Sequence, residues 1–392
     1  MREVFIVGAA RTAIGDYMGA LGGVSAVELG IAAAKSAIAK AGLKPEQIDE
    51  AVAGHCLQAG NKGNTGRQVS LGVGMPVETF ACTVTQLCPA SMRATEIASH
   101  QIMLGKTDIS LVVGMESMST APYMSLKARQ GLRMGDQPFV DHMLHDGLVD
   151  AFNNYHMGIT AENLAAQYNV SREEQDEWAL MSHQRAVAAQ KAGKFKDEIV
   201  PIELQTRKGT VVFDTDEHPR ETMTMEALAK MKPAFKKDGT VTAGNASSLN
   251  DGGASLVLAS KEKCAELGLK PIAKIISTAS AGVDPKIMGF GVVPAVAKAL
   301  KFAGLTQDQI QLWELNEAFA AQVIACNREL KIDKGIINVN GSGISLGHPV
   351  GQTGSRLIVT LIHELAKRGQ KFGCASLCAG GGPGVATIVE ML

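Results

Sequence analysis

Two glycine-rich clusters near the C-terminus, Gly347-His348-Pro349-Val350-Gly351 and Cys378-Ala379-Gly380-Gly381-Gly382, each hold one proton-transferring side chain among residues without bulk. Glycine lets backbone and substrate approach closely, and His and Cys are both competent general acids and bases. The two side chains lie 30 residues apart, a separation that one helix and one strand can fold back on itself. A histidine beside a thiol in a glycine-lined cavity suits acyl transfer, which also demands a nucleophile.

The elements that would present these groups come from an internal repeat. Ala41-Gly42-Leu43-Lys44-Pro45-Glu46-Gln47-Ile48 recurs 262 residues later as Ala303-Gly304-Leu305-Thr306-Gln307-Asp308-Gln309-Ile310. Both copies follow an alanine-rich helical stretch, Glu28 to Lys40 and Pro294 to Phe302, and each glycine suits a left-handed helix end. The echo continues with Cys88-Pro89 and His348-Pro349, displaced by 260, each ahead of a helical pattern, Ser91 to Leu104 and Ser355 to Lys367. Each helix leads to a strand-like run ending in glycine, Ile109 to Gly114 and Ala375 to Gly380. Two related α/β units packed together are implied; a solenoid needs shorter periods and more copies.

The repeat singles out Cys88 among seven scattered cysteines (Cys56, Cys82, Cys88, Cys264, Cys326, Cys374, Cys378). A free cysteine is most often a small buried hydrophobe. Here Pro89, pre-organised for the first helical position, and a histidine at the equivalent start in the other half favour a nucleophile. The helix dipole is expected to lower the thiol pKa and a nearby His to complete its activation. Asn316 and Glu317, in Trp313-Glu314-Leu315-Asn316-Glu317-Ala318-Phe319, end a strand where α/β proteins collect functional groups, though Asn is also a common helix cap. His55 and His156 are weaker candidates.

Between the halves, about Ser119 to Asn250, the chain is richer in charge and polar turns. It contains one clear helix, Arg172 to Ala192, with Ser171 and Glu174 as a capping box. Insertions of this length build binding surfaces or oligomer contacts. Lys230, Lys232, Lys236 and Lys237 suit either a phosphate-bearing ligand or a solvated loop.

Composition excludes several classes. A net charge of −1 over 392 residues gives no field to recruit nucleic acid or an anionic membrane, and 4% aromatics leave few base-stacking platforms. No cysteine pair has zinc-ligand spacing. Gly341-Ser342-Gly343 begins like a dinucleotide fingerprint, but the next glycine falls at Gly347, one place late, and no acidic residue follows at the right distance. No Walker loop, leader or membrane-spanning run is visible, and the free cysteines indicate a reducing cytoplasm.

Over essentially its whole length the chain resembles the thiolases. The resemblance rests on Gly114-Met115-Glu116-Ser117-Met118-Ser119, Ala243-Gly244-Asn245-Ala246-Ser247, Asn316-Glu317-Ala318-Phe319-Ala320, the two C-terminal clusters, and Cys88 ahead of all five blocks. It implies an α/β thiolase fold of two pseudo-symmetric βαβαβαββ halves in a five-layered αβαβα arrangement with an inserted loop domain. The boundaries expected are 1–118 with 251–270 for the first half, 119–250 for the insertion and 271–392 for the second half. It further implies reversible Claisen condensation and thiolysis of acyl-CoA, most simply between two acetyl-CoA and acetoacetyl-CoA plus CoA, within fatty acid metabolism.

By the same resemblance Cys88 is acylated, His348 is its base, and Cys378 takes the α-proton of the incoming thioester. Asn316, holding a water, and His348 form one oxyanion hole; the N–H groups of Cys88 and Gly380 form the other. Ser247 bonds the pantetheine of coenzyme A. Leu148, His156, Met157, Ala234, Phe235, Met288, Ala318 and Phe319 line its channel, with Arg220 near the nucleotide. Met157 and Met288 by the acyl end favour short chains. Coenzyme A is substrate and product, with no resident cofactor and no metal, and the assembly expected is a homodimer or homotetramer, with Tyr123 to Asp141 in the second contact.

Departures are Pro89-Ala90-Ser91 where thiolases usually have Gly or Ala before Ser-Gly, Asn340-Gly341-Ser342 for Asn-Gly-Gly, Gln352-Thr353 for a smaller pair, and His55 to Gly66. They put acyl-chain preference in question more than the reaction. A broader-chain degradative 3-ketoacyl-CoA thiolase is the nearest alternative. A decarboxylating ketosynthase would want a second His at Cys378, and a cysteine hydrolase would not need Cys378. A non-catalytic CoA- or lipid-binding relative would not need all three reactive residues.

Overall fold

The computed structural model describes every residue except Lys208. Nine strands form the frame: β1 (Val4–Thr12), β2 (Glu50–Gly54), β3 (Phe80–Val84), β4 (Ile109–Ser117), β5 (Asn250–Ser260), β6 (Ala273–Gly282), β7 (Leu312–Leu315), β8 (Phe372–Cys378) and β9 (Pro383–Met391). The helices that matter are α1 (Ala26–Lys40), α2 (Thr65–Gly72), α3 (Ala90–Met103), α4 (Gly158–Gln167), α5 (Arg172–Lys191), α6 (Val292–Ala303), α7 (Ala320–Leu330) and α8 (Val350–Arg368).

Strand order makes the repeat explicit. The first half runs β3-β2-β4-β5-β1, with β2 parallel to β3 and β4, and β5 antiparallel to β4 and β1. The second runs β7-β8-β9-β6, parallel and then twice antiparallel, and Ile337 forms a parallel bridge to Trp313 where β3 would lie. Both halves slip register at matching places, between Ile6 and Gly8 in β1 and between Ile275 and Ser277 in β6. The halves join where β1 and β6 pair at Phe5–Lys274 and Ile6–Ala273.

Helices divide into outer and central layers by what they bury. α1 packs on the first half's strands and α6 on the second's. Between the sheets lie α3 and α8, which pack on each other. α8 buries every residue from Val350 to Ile362, polar ones included. A helix buried all round must occupy the interior of the molecule. Gly354 allows the two to touch, since a Cβ there would fall 2.5 Å from the Met92 backbone nitrogen. This is the five-layer αβαβα arrangement.

The segment between the halves holds α4, α5, a β-hairpin (Ile202–Thr206 with Gly209–Phe213) and a π-helical turn, Met143–Leu148. The capping box of α5 forms as read, with Ser171 and Glu174 bonding reciprocally. This segment shares its core with the second half: Leu164, Trp178 and Leu228 are buried in one cluster with Val292, Phe319 and Cys378. Pro89 and Pro349 occupy the cap positions before α3 and α8, one residue earlier than the first-turn place expected for them.

Candidate active site

Leu87, ahead of α3, takes a left-handed φ of 54°, rare for a side chain of its size. The reversal brings Cys88 to the helix start, where the thiol is buried. The backbone N–H groups of Cys88 and Gly380 face its sulfur and favour an anion there, but burial pushes the thiol up to about 12, and the negative charge of Glu116 adds to this. The lowered pKa expected from the helix dipole is therefore corrected. Loss of water around the sulfur outweighs a half-charge at one helix end.

Cys378 ends β8, fully buried. Burial pushes its thiol well above the ordinary value, and the nearness of Cys88 raises it further. Gly380 follows, and a Cβ on it would lie 2.0 Å from Met157 Cε and 2.7 Å from Leu87 Cδ1. Only glycine leaves its N–H open towards Cys88 with both side chains in place.

His348, in the same half as Cys378, reaches the region opposite Cys88 of the first half. The Ser91 hydroxyl, in the first turn of α3, donates to the Gln352 carbonyl (3.2 Å) and accepts from the Ser355 N–H (2.9 Å) in α8. The two helix starts that carry Cys88 and His348 thus interlock. Gly347, at φ 104°, turns the chain so that the His348 N–H donates to Asn250 Oδ1 at 2.9 Å. Burial, then the Arg356 charge, pushes the imidazole down to about 3, so it is neutral at rest. The Asn316 N–H donates to the Ser376 carbonyl (3.0 Å), tying the end of β7 beside β8, and its Nδ2 lies 3.3 Å from His348 Nε2. Glu317 is an anchor: its buried carboxylate accepts from Trp178 Nε1, Ser182 Oγ and Asn338 Nδ2.

A cavity of about 440 Å³ leads from His348 to the surface. Leu148, His156, Arg220, Ala234, Phe235, Ser247 and Phe319 line it, as do residues not foreseen, among them Met118, Leu144, His218, Ser248, Leu249 and Val350. His156 stacks on Phe235 with ring centroids 4.5 Å apart, and its Nδ1 accepts from the Gly158 N–H. That leaves a neutral His156, kept so by burial, with only Nε2 free to donate.

Two comparisons decide the family. The description "Thiolase, N-terminal domain" matches residues 4–262 and "Thiolase, C-terminal domain" matches 269–391. The chain belongs to the thiolase family. Acetyl-CoA acetyltransferase of Pseudomonas aeruginosa is 51% identical to it over 98% of both chains, and that of Syntrophomonas wolfei is 50% identical over the full length of both. The solved structure of the S. wolfei protein superposes with a TM-score of 0.98, at 50% identity and full coverage of both chains. Human mitochondrial 3-ketoacyl-CoA thiolase also gives 0.98, at 42% identity, covering 100% of this chain and 99% of its own.

Three residues expected along the thiolase channel, Met157, Met288 and Ala318, are not among those lining this cavity. Met157 presses on Gly380 and lines a second cavity, of about 460 Å³, with Leu87, Phe152 and Gly381. Met288 is buried in the second half's core, and Ala318 takes part through its carbonyl, which accepts from the Ser247 N–H at 2.9 Å. The four lysines near 230–237 are exposed and line none of this; Arg220 is the cation at the cavity. Among the described residues no cluster of three or more His, Cys, Asp or Glu could hold a metal.

Glu116 has a role that its residue type does not announce. Its buried carboxylate accepts from the N–H groups of Cys56 (3.1 Å), Leu57 (3.2 Å) and Gly351 (3.0 Å), and lies 3.2 Å from His55 Nε2. It ties the loop after β2 to the start of α8. The available signal was its place in the Gly114–Ser119 block.

Proposed function

We propose that this thiolase interconverts two acetyl-CoA with acetoacetyl-CoA and CoA through an acetyl-Cys88 intermediate. The adjacency of two buried thiols, Cys88 and Cys378, carries the reading, because one sulfur can hold the acyl group while the other handles the α-proton. The full-length acetyl-CoA acetyltransferase relatives support it.

The resting protonation states dictate an order of proton transfers. Cys88 gives its proton to His348, and the thiolate attacks the thioester carbon with the new oxyanion held by the N–H groups of Cys88 and Gly380. The departing CoA thiolate takes the Cys378 proton. The Cys378 thiolate then removes an α-proton from a second acetyl-CoA, whose enolate oxygen is met by protonated His348 and the Asn316 site. The carbanion attacks acetyl-Cys88, releasing its thiolate, which recovers a proton from His348. Each group ends as it began.

Coenzyme A would enter along the 440 Å³ cavity, with Ser247 and His156 Nε2 towards the pantetheine and Arg220 towards the nucleotide. Leu87 and Met157 closing on Gly380 favour short acyl groups. A broader-chain reading rests on the space behind Met157 and the likeness to the human 3-ketoacyl-CoA thiolase. The fold is read as cytoplasmic, with all seven cysteines free and, among the described residues, no helix long and apolar enough to cross a membrane.

Acetoacetyl-CoA with free CoA is the test. Thiolysis to acetyl-CoA, fastest at four carbons across a series of 3-ketoacyl-CoA lengths, is expected. CoA-independent hydrolysis would overturn the assignment, and a rate maximum at longer chains would favour the second reading.

A further inference from the structure

His348 can accept a proton from a thiol at Nε2 only if that nitrogen is bare, and a neutral imidazole carries its hydrogen on either nitrogen. Burial keeps the ring neutral, so something in the fold must choose. His348 Nδ1 lies 2.7 Å from Thr353 Oγ1, and both side chains are buried. A threonine hydroxyl has one hydrogen to give. Here it points back along α8 to the Pro349 carbonyl, at 2.8 Å, the usual bond of a helical threonine to the residue four before it. With its hydrogen committed, Oγ1 can only accept, so the hydrogen between it and the ring belongs to Nδ1.

Asn316 Nδ2, a donor, lies 3.3 Å from Nε2 and 3.5 Å from Nδ1, so it does not choose between the two nitrogens and the choice falls to Thr353. Asn316 Oδ1 is turned away, towards Gly343, and has no hydrogen-bond partner. We propose that Thr353 is a positioning residue that holds His348 in its Nδ1–H tautomer and so keeps Nε2 bare for the Cys88 proton. The inference builds on the thiolase reaction proposed above and adds Thr353, one of the departures in the Gln352-Thr353 pair, to it.

The test compares Thr353→Val, which keeps shape but removes the acceptor, with Thr353→Ser, which restores it. The Pro349 carbonyl keeps the N–H groups of Gln352 and Thr353 in either variant, so the helix start remains bonded. Thr353→Val is expected to lose about 10- to 100-fold in kcat for thiolysis with KM for CoA nearly unchanged. That is less than the ~10⁴-fold loss a wrong histidine tautomer causes in a serine protease, because valine leaves the tautomer free rather than imposing the wrong one. Thr353→Ser should recover kcat to within about threefold of wild type. In the full-length protein labelled with ¹⁵N-histidine, the signal lost in His348→Asn should show a protonated Nδ1 and a bare Nε2, and Thr353→Val should shift it. An Nε2–H ring in the wild type, or Thr353→Val with unchanged kcat and an unchanged histidine signal, would overturn the proposal. A wild type without thiolysis would instead sink the functional reading, while the nitrogen signal would still decide the tautomer.

Discussion

Cys88, Cys378 and His348 share one electrostatic circumstance, removal from water, and it works against charge on all three. The site therefore rests as two thiols and a neutral imidazole, and a thiolate appears only when substrate supplies a carbonyl to attack. Cys378 can act as a base only after surrendering its own proton, which the departing CoA thiolate can take. This division of labour predicts that Cys378→Ala still forms acetyl-Cys88, visible as a mass increase on incubation with acetyl-CoA. The same variant should not exchange the α-protons of acetyl-CoA with solvent deuterium, a loss of about 10² to 10⁴ in rate. Exchange at the wild-type rate would remove Cys378 from the role assigned to it.

At the scale of elements, the site depends on turns that place helix starts. Gly347 is the sharpest case: its φ of 104° is one that a side chain rarely adopts, and a Cβ there would lie 2.5 Å from Asn250 Cγ. Gly347→Ala should shift the His348 backbone off Asn250, reducing kcat by about 10²-fold and stability by about 1–3 kcal/mol. Steady-state kinetics and a melting curve check both, and unchanged turnover would show that His348 does not depend on this turn. The helices, Gly42 and Gly304 as left-handed ends, and the equivalence of Cys88 with His348 were legible because capping and repetition are written in neighbouring residues. The paired register slips of β1 and β6 were not, since neither carries a residue signature. The cavity lining was legible in part: Ser247 lies within a motif, whereas Leu144 comes from the π-helical turn and His218 and Leu249 from loops, segments that meet only after folding. The Cys88 pKa was misread for a related reason. A helix dipole can be inferred from Pro89 and the pattern after it, but burial is a property of everything packed around the sulfur.

For the molecule as a whole, the first half's sheet ends at β3, which pairs with β2 and has no strand partner on its other side among the described residues. Phe80 on that strand and Val77 before it are exposed, and an open, apolar edge invites a second copy. A separate apolar set, Tyr123, Leu126, Leu132, Met134 and Phe139, lies exposed on the short strand Tyr123–Met124 and in the segment between it and its partner Val140–Asp141. We propose that a dimer forms at one of these surfaces and a dimer of dimers at the other. Neither set lines the 440 Å³ cavity, so assembly through the second surface and chemistry should be separable. Met134→Asp combined with Phe139→Asp is expected to convert a tetramer to a dimer in sedimentation equilibrium, with thiolysis per subunit within about twofold of wild type, as for surface changes remote from a site. A wild-type monomer would refute both contacts, and a doubly substituted protein that stays tetrameric would move the second contact away from this segment.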